Sequence, residues 1–597
     1  MAGIATSRPP SRPLPQPTRR ELQVFAFDPS RGKNYGNFMV LEVPYEPLQA
    51  GPVGEHMAVI DYDSVNECYY EPVNLDAPLV LATDGLAPSE SDPRFHQQMV
   101  YAVASDTISR FQFALGRPVS WRKDTTSKQN PMHNKLVFLP HGIQEPNAYY
   151  DPDLRGVVFG YFKVSEKDPG DSLPGQTIYT CLSHDVIAHE TTHALLDGVR
   201  SYFMQPTNQD VAAFHEAFAD IVALLQHFSF KKAVLDALRG TRGSLFPQKM
   251  QPDIAVGPEG PQVQYQLAQD NPLVGLAAQF GDALGLHAPL RRMIGVPPNS
   301  HLLDEMTEPH DRGSILVAAV FDAFFTIFLR RTEDLFRIAG VSRKDARDCD
   351  LHPDLLARLA DEASKTAGHF ETLCIRALDY TPPVDITFGD YLRALITADR
   401  DLVTNDSLGY RSALIDAFRS RGIRPETVTS YSEEELAWRP PDQETKIEGL
   451  RILCPGMSPE ERREIEENNA RTLHAFAVKN ADVFGFANVD NLFVPSFHHV
   501  ERVGPDGTLL FEMVAQIIEH PEPNKDAEEV EVYGGATVIF NTDGTVRYAI
   551  RKSLKNERPE MQAEFRREMW ERTNRGTYLP YENKPINFRA IHGVFGE

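Results

Sequence analysis

Cysteine is scarce in this chain: Cys68, Cys181, Cys349, Cys374 and Cys454 are five in number, widely scattered and without a close-spaced pair. That distribution points to neither a disulfide framework nor a cysteine zinc site. Positive charge is in deficit too, with 60 Lys and Arg against 84 Asp and Glu and a formal net charge of -24. A surface of that sign has little general affinity for nucleic acid or anionic membranes, which reward cationic patches through counterion release. No uninterrupted apolar run approaches the ~20 residues that a membrane span needs. The Met1–Arg20 stretch, rich in Pro, Arg and Ser, lacks the apolar core of a secretory signal and reads as a disordered arm with little to bury. The expectation is therefore a cytoplasmic location, or export by a route that leaves no N-terminal signal.

What is present is the composition of a soluble globular protein, 42% hydrophobic and 24% charged, over 597 residues. A single core stops growing well before that length, so two or three domains are expected. After the arm at 1–20, residues 21–182 read as β-rich, with short apolar runs such as LQVFAF and NFMVLEVPY broken by Gly, Pro and Asn. One helix interrupts them at Arg94–Leu115, where Val100, Val103, Ala104, Phe111 and Leu115 recur near one face. Residues 183–425 are dominated by helices, and SILVAAVFDAFFTIFLRR is apolar on nearly every side, as a buried central helix would be. Between Ser229 and Asp304 the many Gly and Pro predict irregular structure around a cleft. Residues 426–597 read as a further α+β module with a hairpin turn at Asp543-Gly544. The fold class expected is α+β.

The chemistry concentrates in His189-Glu190-Thr191-Thr192-His193. On a helix, residues four apart share a face, so both imidazoles reach one metal ion while Glu190 projects beside it as a general base. A catalytic zinc needs a third protein ligand and an open position. The next helix offers Glu216 as that ligand, and Asp220, one turn further on, can accept the outward N–H of a ligand histidine.

DVIAHETTHALLDG followed by HEAFADIVALL resembles the thermolysin-like zinc metallopeptidases, a gluzincin family. Asp185, Val186, Thr192 and Asp197 match positions of its longer pattern. PNAYYD resembles the family's edge strand, which implies that Asn147 and Ala148 hold substrate as an added strand. PLRRM resembles a segment whose arginine, here Arg291, grips a substrate carbonyl. EPHDRGSILVAAVF resembles the segment carrying the oxyanion-stabilising histidine, here His310. The resemblance spans roughly Asp92 to Asp406. It implies a two-lobed catalytic core, β-rich then mainly helical, with one Zn²⁺ in the cleft between and a peptide or protein as substrate. It also implies Asp197 and Asp220 as supporting residues around the metal.

Two departures stand out. The family's transition-state tyrosine falls where this chain has Met204, with Tyr202 nearby as a substitute. Its paired calcium site needs acidic residues after the glutamate helix, where this chain has His227 and then SFKKAVLDALRG, so that site is expected to be absent. Each landmark also has a plainer reading: Asn147 as a turn residue, Arg291 as a solvated or structural charge, His310 as a helix cap. Besides a metalloendopeptidase, the sequence accommodates an exopeptidase or single-target enzyme, and a catalytically silent zinc scaffold. The C-terminal module is open to an unknown protein partner.

Overall fold

The computed structural model describes residues 17–593 apart from 30–36, 123–131, 168–171, 241–255, 258–259, 262–292, 343–350, 453–456, 505, 521–531, 556 and 573–584. With 47% helix and 19% strand it is an α+β protein. Two-residue alternation begins it: Arg19–Phe25 and Phe38–Pro44 pair antiparallel, Leu22 opposite Leu41, and bury Leu22, Val24, Leu41 and Val43. Met57–Val59, Leu136–Ile143 and Gly156–Lys163 then pair in parallel, and Ala148–Asp151 closes that sheet as an antiparallel edge strand on Gly156–Lys163. The 21–82 stretch is less regular than expected, since it also holds two two-residue strands and the short helix Pro78–Ala82.

The helix Pro93–Leu115 matches the periodicity read from the sequence and packs between the strands and the helices that follow. Asp92 caps it by accepting from the Arg94 amide at 3.0 Å. His184–Val199 and Gln209–Ser229 form the helical hairpin expected around the histidine motif, and Asn208 caps the second by accepting from the Asp210 amide. Gln209–Ser229 is buried along nearly its whole length because Pro309–Ile338 and Pro353–Ala377 also pack on it. Pro309–Ile338 is, among the described residues, the one helix long and apolar enough to cross a membrane by length and composition. Its most apolar window is 78% buried inside the protein, which makes it a core helix here. It crosses close to Gln209–Ser229: a Cβ on Gly313 would stand 2.8 Å from the Ala213 carbonyl oxygen. Only a glycine allows that approach. Most of the irregular stretch expected between 229 and 304 lies outside the described residues.

Toward the C-terminus, Leu492–Val503, Leu509–Glu519, Gly534–Asn541 and Val546–Lys552 form a four-stranded antiparallel meander. Gly544, at φ +87°, makes the last turn, as the Asp-Gly pair predicted. The helix Pro459–Lys479 contributes Leu473, Phe476 and Ala477 to a core on one face of this sheet. The other face sends Val500, Val514, Ile539, Tyr548 and Ile550 into the main core. A buried charged seam lines that junction. Asp379 takes both guanidinium nitrogens of Arg117, at 2.6 and 2.7 Å, and pairs also with Arg502. Glu512 pairs with Arg502 at 2.7 Å and Arg547 at 2.6 Å. The described chain ends elsewhere: the short helix Phe588–Gly593 leaves this module and packs on the edge strand Ala148–Asp151.

Candidate metal centre

Helical spacing sets the first two candidate ligands. His189 and His193 are one turn apart on the same face, and their Nε2 atoms meet at 3.0 Å. The facing helix brings Glu216, with Oε2 3.4 Å from His189 Nε2 and Oε1 3.7 Å from His193 Nε2. Four donors around a zinc ion with ~2.0–2.1 Å bonds stand about 3.3 Å apart, the edge of a tetrahedron. The three side chains thus have both the chemistry and the spacing for one such ion. Asp220 Oδ1 lies 3.1 Å from His189 Nδ1, the outward ring nitrogen, so His189 donates there and turns its Nε2 lone pair to the centre. On His193 and Glu216, both buried, the Nδ1 and Oε1 atoms have no hydrogen-bond partner among the described residues.

Charge in this cluster is conditional. Burial works against ionising Glu216, yet His310, His592, His193 and His189 surround it and hold its carboxyl well below the usual range. Burial also opposes protonation of His189, but Asp220 and Glu216 outweigh it and lift the imidazole to about 10. His193 is kept neutral by burial, which leaves its lone pair available. Burial raises the Glu190 carboxyl against the pull of His592 and His189. That is the direction a general base working near neutrality requires.

Glu190 is fixed by the edge strand, its Oε2 accepting from the Tyr150 amide at 3.0 Å. The Tyr150 hydroxyl in turn donates to Asp197 at 2.9 Å, and Arg122 reaches the same carboxylate at 3.1 Å. Asp197 therefore supports the edge strand rather than a ligand histidine, one helical turn beyond His193. His310 does reach the cluster: its Nε2 stands 3.2 Å from Glu216 Oε2 and its Nδ1 3.0 Å from Glu308. Burial opposes its protonation, and the two glutamates lift it to about 10.

Tyr202 takes a different direction from the one expected. Ser201–Met204 is a tight 3₁₀ turn that buries Phe203 and Met204 and points Tyr202 at the C-terminal sheet. Its hydroxyl meets His520 Nε2 at 3.1 Å, and its ring packs on Tyr533. Arg291 lies outside the described residues. His227, where a calcium ligand was expected to be lost, forms a buried group with His184 and Asp185, its Nδ1 3.3 Å from Asp185 Oδ1. Calcium takes six to eight oxygens, and two imidazoles with one carboxylate do not offer that shell. Among the described residues, His96, His141 and Cys181 form another group close enough to hold a metal.

The residue that sequence reasoning missed is His592. It joins His189, His193 and Glu216 in one set of ligand atoms within 4.8 Å of one another. Phe588, from the same short helix, stacks on His193 with ring centroids 4.1 Å apart. A lone histidine 399 positions beyond His193 carries no spacing signal, and the apolar Phe588 and Ile591 beside it were the only hint of burial. No protein-family model matches the chain, and no curated protein matches it.

Proposed function

We propose that this chain is a zinc-dependent metalloendopeptidase of thermolysin-like, two-lobed organisation, with His189, His193 and Glu216 as metal ligands. The observation that carries the reading is the convergence of those three side chains beside Glu190, itself tied to an edge strand. A purely structural site has no need of Glu190 at that position.

Zinc bound there would supply a Lewis acid and acidify the water it holds. Glu190 would take the proton from the attacking water and pass it to the leaving amine. His310, whose Nε2 lies 3.2 Å from Glu216 Oε2, would donate to the oxyanion; losing such a donor typically costs ~2.7–4 kcal/mol of barrier. The main chain of Ala148 and the side chain of Asn147 would align a peptide as an added strand. Arg291 would hold a carbonyl on the leaving side. Tyr202 has no part in this account, because its hydroxyl is taken by His520.

One observation favours the silent-scaffold reading: His592 stands with His189, His193 and Glu216 as a fourth possible ligand, and closed four-ligand sites are the pattern of structural zinc. Hydrolysis of an unstructured protein such as casein separates the two, run in the His592→Ala background, where that fourth position is vacated: on the zinc-loaded protein, a chelated sample, the same sample restored with zinc, and Glu190→Gln. The peptidase reading expects turnover that dies with chelation, returns with zinc and is absent in a zinc-replete Glu190→Gln protein. Hydrolysis indifferent to chelation contradicts it.

A further inference from the structure

The C-terminal helix does more than approach the cluster. His592 Nδ1 lies 2.8 Å from the Ala148 carbonyl oxygen, a group that only accepts. Nδ1 must therefore carry the proton in that bond. Its Nε2 faces the centre, 3.3 Å from Glu216 Oε2, the separation two ligands of one ion would have. This is how a metal-bound histidine is ordinarily held, with one ring nitrogen on the metal and the other N–H on a carbonyl or carboxylate. His189 is held in the same way by Asp220.

The rest of the segment occupies the places a substrate peptide would take. Asn147 Nδ2 donates to the Arg589 carbonyl at 3.1 Å, and the Arg589 guanidinium pairs with Glu145 at 2.8 Å. The Ile586 amide donates to the Met204 carbonyl at 3.0 Å. Ile586, Phe588 and Ile591 are each at most 2% exposed. Phe588 covers the His193 ring, and His592 Nδ1 stands 3.3 Å from Glu190 Oε1, on the base itself.

Resting on the metal-site reading above, we propose that His592 is a fourth protein ligand to that metal, carried by a C-terminal segment that fills the chain's own substrate strip. The described fold is then the latent form. His592 holds the position that water must occupy, and the Ala148 carbonyl and Asn147 Nδ2 already have partners within the chain. Opening requires the imidazole to leave the metal and the Phe588 ring to leave His193, with no covalent change. A tethered ligand competes at high effective concentration. External ligands are accordingly weakened by the fraction of molecules that are open.

The test counts imidazoles. Zinc-loaded full-length protein and its His592→Ala and Phe588→Asp variants are compared by zinc content and zinc-edge X-ray absorption. Acetohydroxamate is then titrated into the cobalt-substituted proteins while the visible spectrum is followed. The expected result is one zinc in each, with three coordinated imidazoles in the native chain and two in His592→Ala. Acetohydroxamate should bind His592→Ala at least about tenfold more tightly than the native chain, and Phe588→Asp should move the same way. Full zinc with two imidazoles in both native and His592→Ala proteins, and equal hydroxamate affinities, overturns the proposal while leaving the metal site intact. A native chain that takes up no zinc removes the metal site itself.

Discussion

The cluster at His189 and the seam at Asp379 are both buried and both crowded with ionisable groups, yet they are balanced by opposite means. In the seam every carboxylate meets arginine: Asp379 has Arg117 and Arg502, and Glu512 has Arg502 and Arg547. A guanidinium is permanently charged, so the protein completes the seam by itself. In the cluster Glu190 and Glu216 face imidazoles and one backbone amide. Imidazole charge is conditional, so protons or a metal ion must finish the balance. Buried charge answered by arginine holds two parts of a fold together, whereas buried charge left to histidine marks a place that something else enters.

The comparison sharpens most in the cluster. Glu190→Gln, made in the His592→Ala protein, should keep its zinc and lower turnover by at least about 10²–10⁴-fold, as loss of a general base does. Casein hydrolysis beside metal analysis reads this, and retained turnover would assign the proton transfer to another group. In the seam the effect is on stability alone. Arg502→Met strips a shared cation from Asp379 and Glu512 and should cost about 3–5 kcal/mol, as breaking buried pairs does. Denaturant unfolding would show it with zinc content unchanged; a loss of metal would mean that the two regions are not independent.

Gly313→Ala probes the packing that brings His310 to Glu216. Its new methyl would meet the Ala213 carbonyl oxygen at 2.8 Å, which should cost about 1–3 kcal/mol as overpacking does. Unfolding midpoints would record that cost, and an unchanged midpoint would mean the helices separate freely. The smallest effect is one of pH. Burial opposes charge on Asp379, but Arg117 and Arg502 hold its carboxyl below its ordinary 3.8. A depressed carboxyl contributes stability above its unfolded pKa and loses it as pH falls through the folded value. Thermal unfolding followed below about pH 4 should therefore show the native chain losing stability more steeply than Asp379→Asn. Parallel curves would show that Asp379 is not the titrating group.

Much of the cluster was legible because its parts are local. The i, i+4 spacing of His189 and His193 and the place of Asp220 one turn past Glu216 follow from helical geometry within one hairpin. Asn147, Ala148 and His310 came from resemblance, and the structure brings His310 and the Ala148–Asp151 strand to the cluster. Tyr202 was misplaced because its role was inferred by offset from His193, and the four-residue turn Ser201–Met204 points it away. The strand Leu492–Val503 went unread because an unbroken run of its residues is half-exposed, without the buried–exposed alternation of a typical strand. His592 went unread because no periodicity links it to Ala148, 444 positions earlier. Only the assembled fold relates them.

The most direct test of the whole account is the zinc content of the purified native chain beside His193→Ala and Arg502→Met. We expect one zinc per chain in the native and Arg502→Met proteins and none in His193→Ala. A full complement of zinc in His193→Ala, or none in the native chain, would contradict the assignment of the cluster as a metal centre.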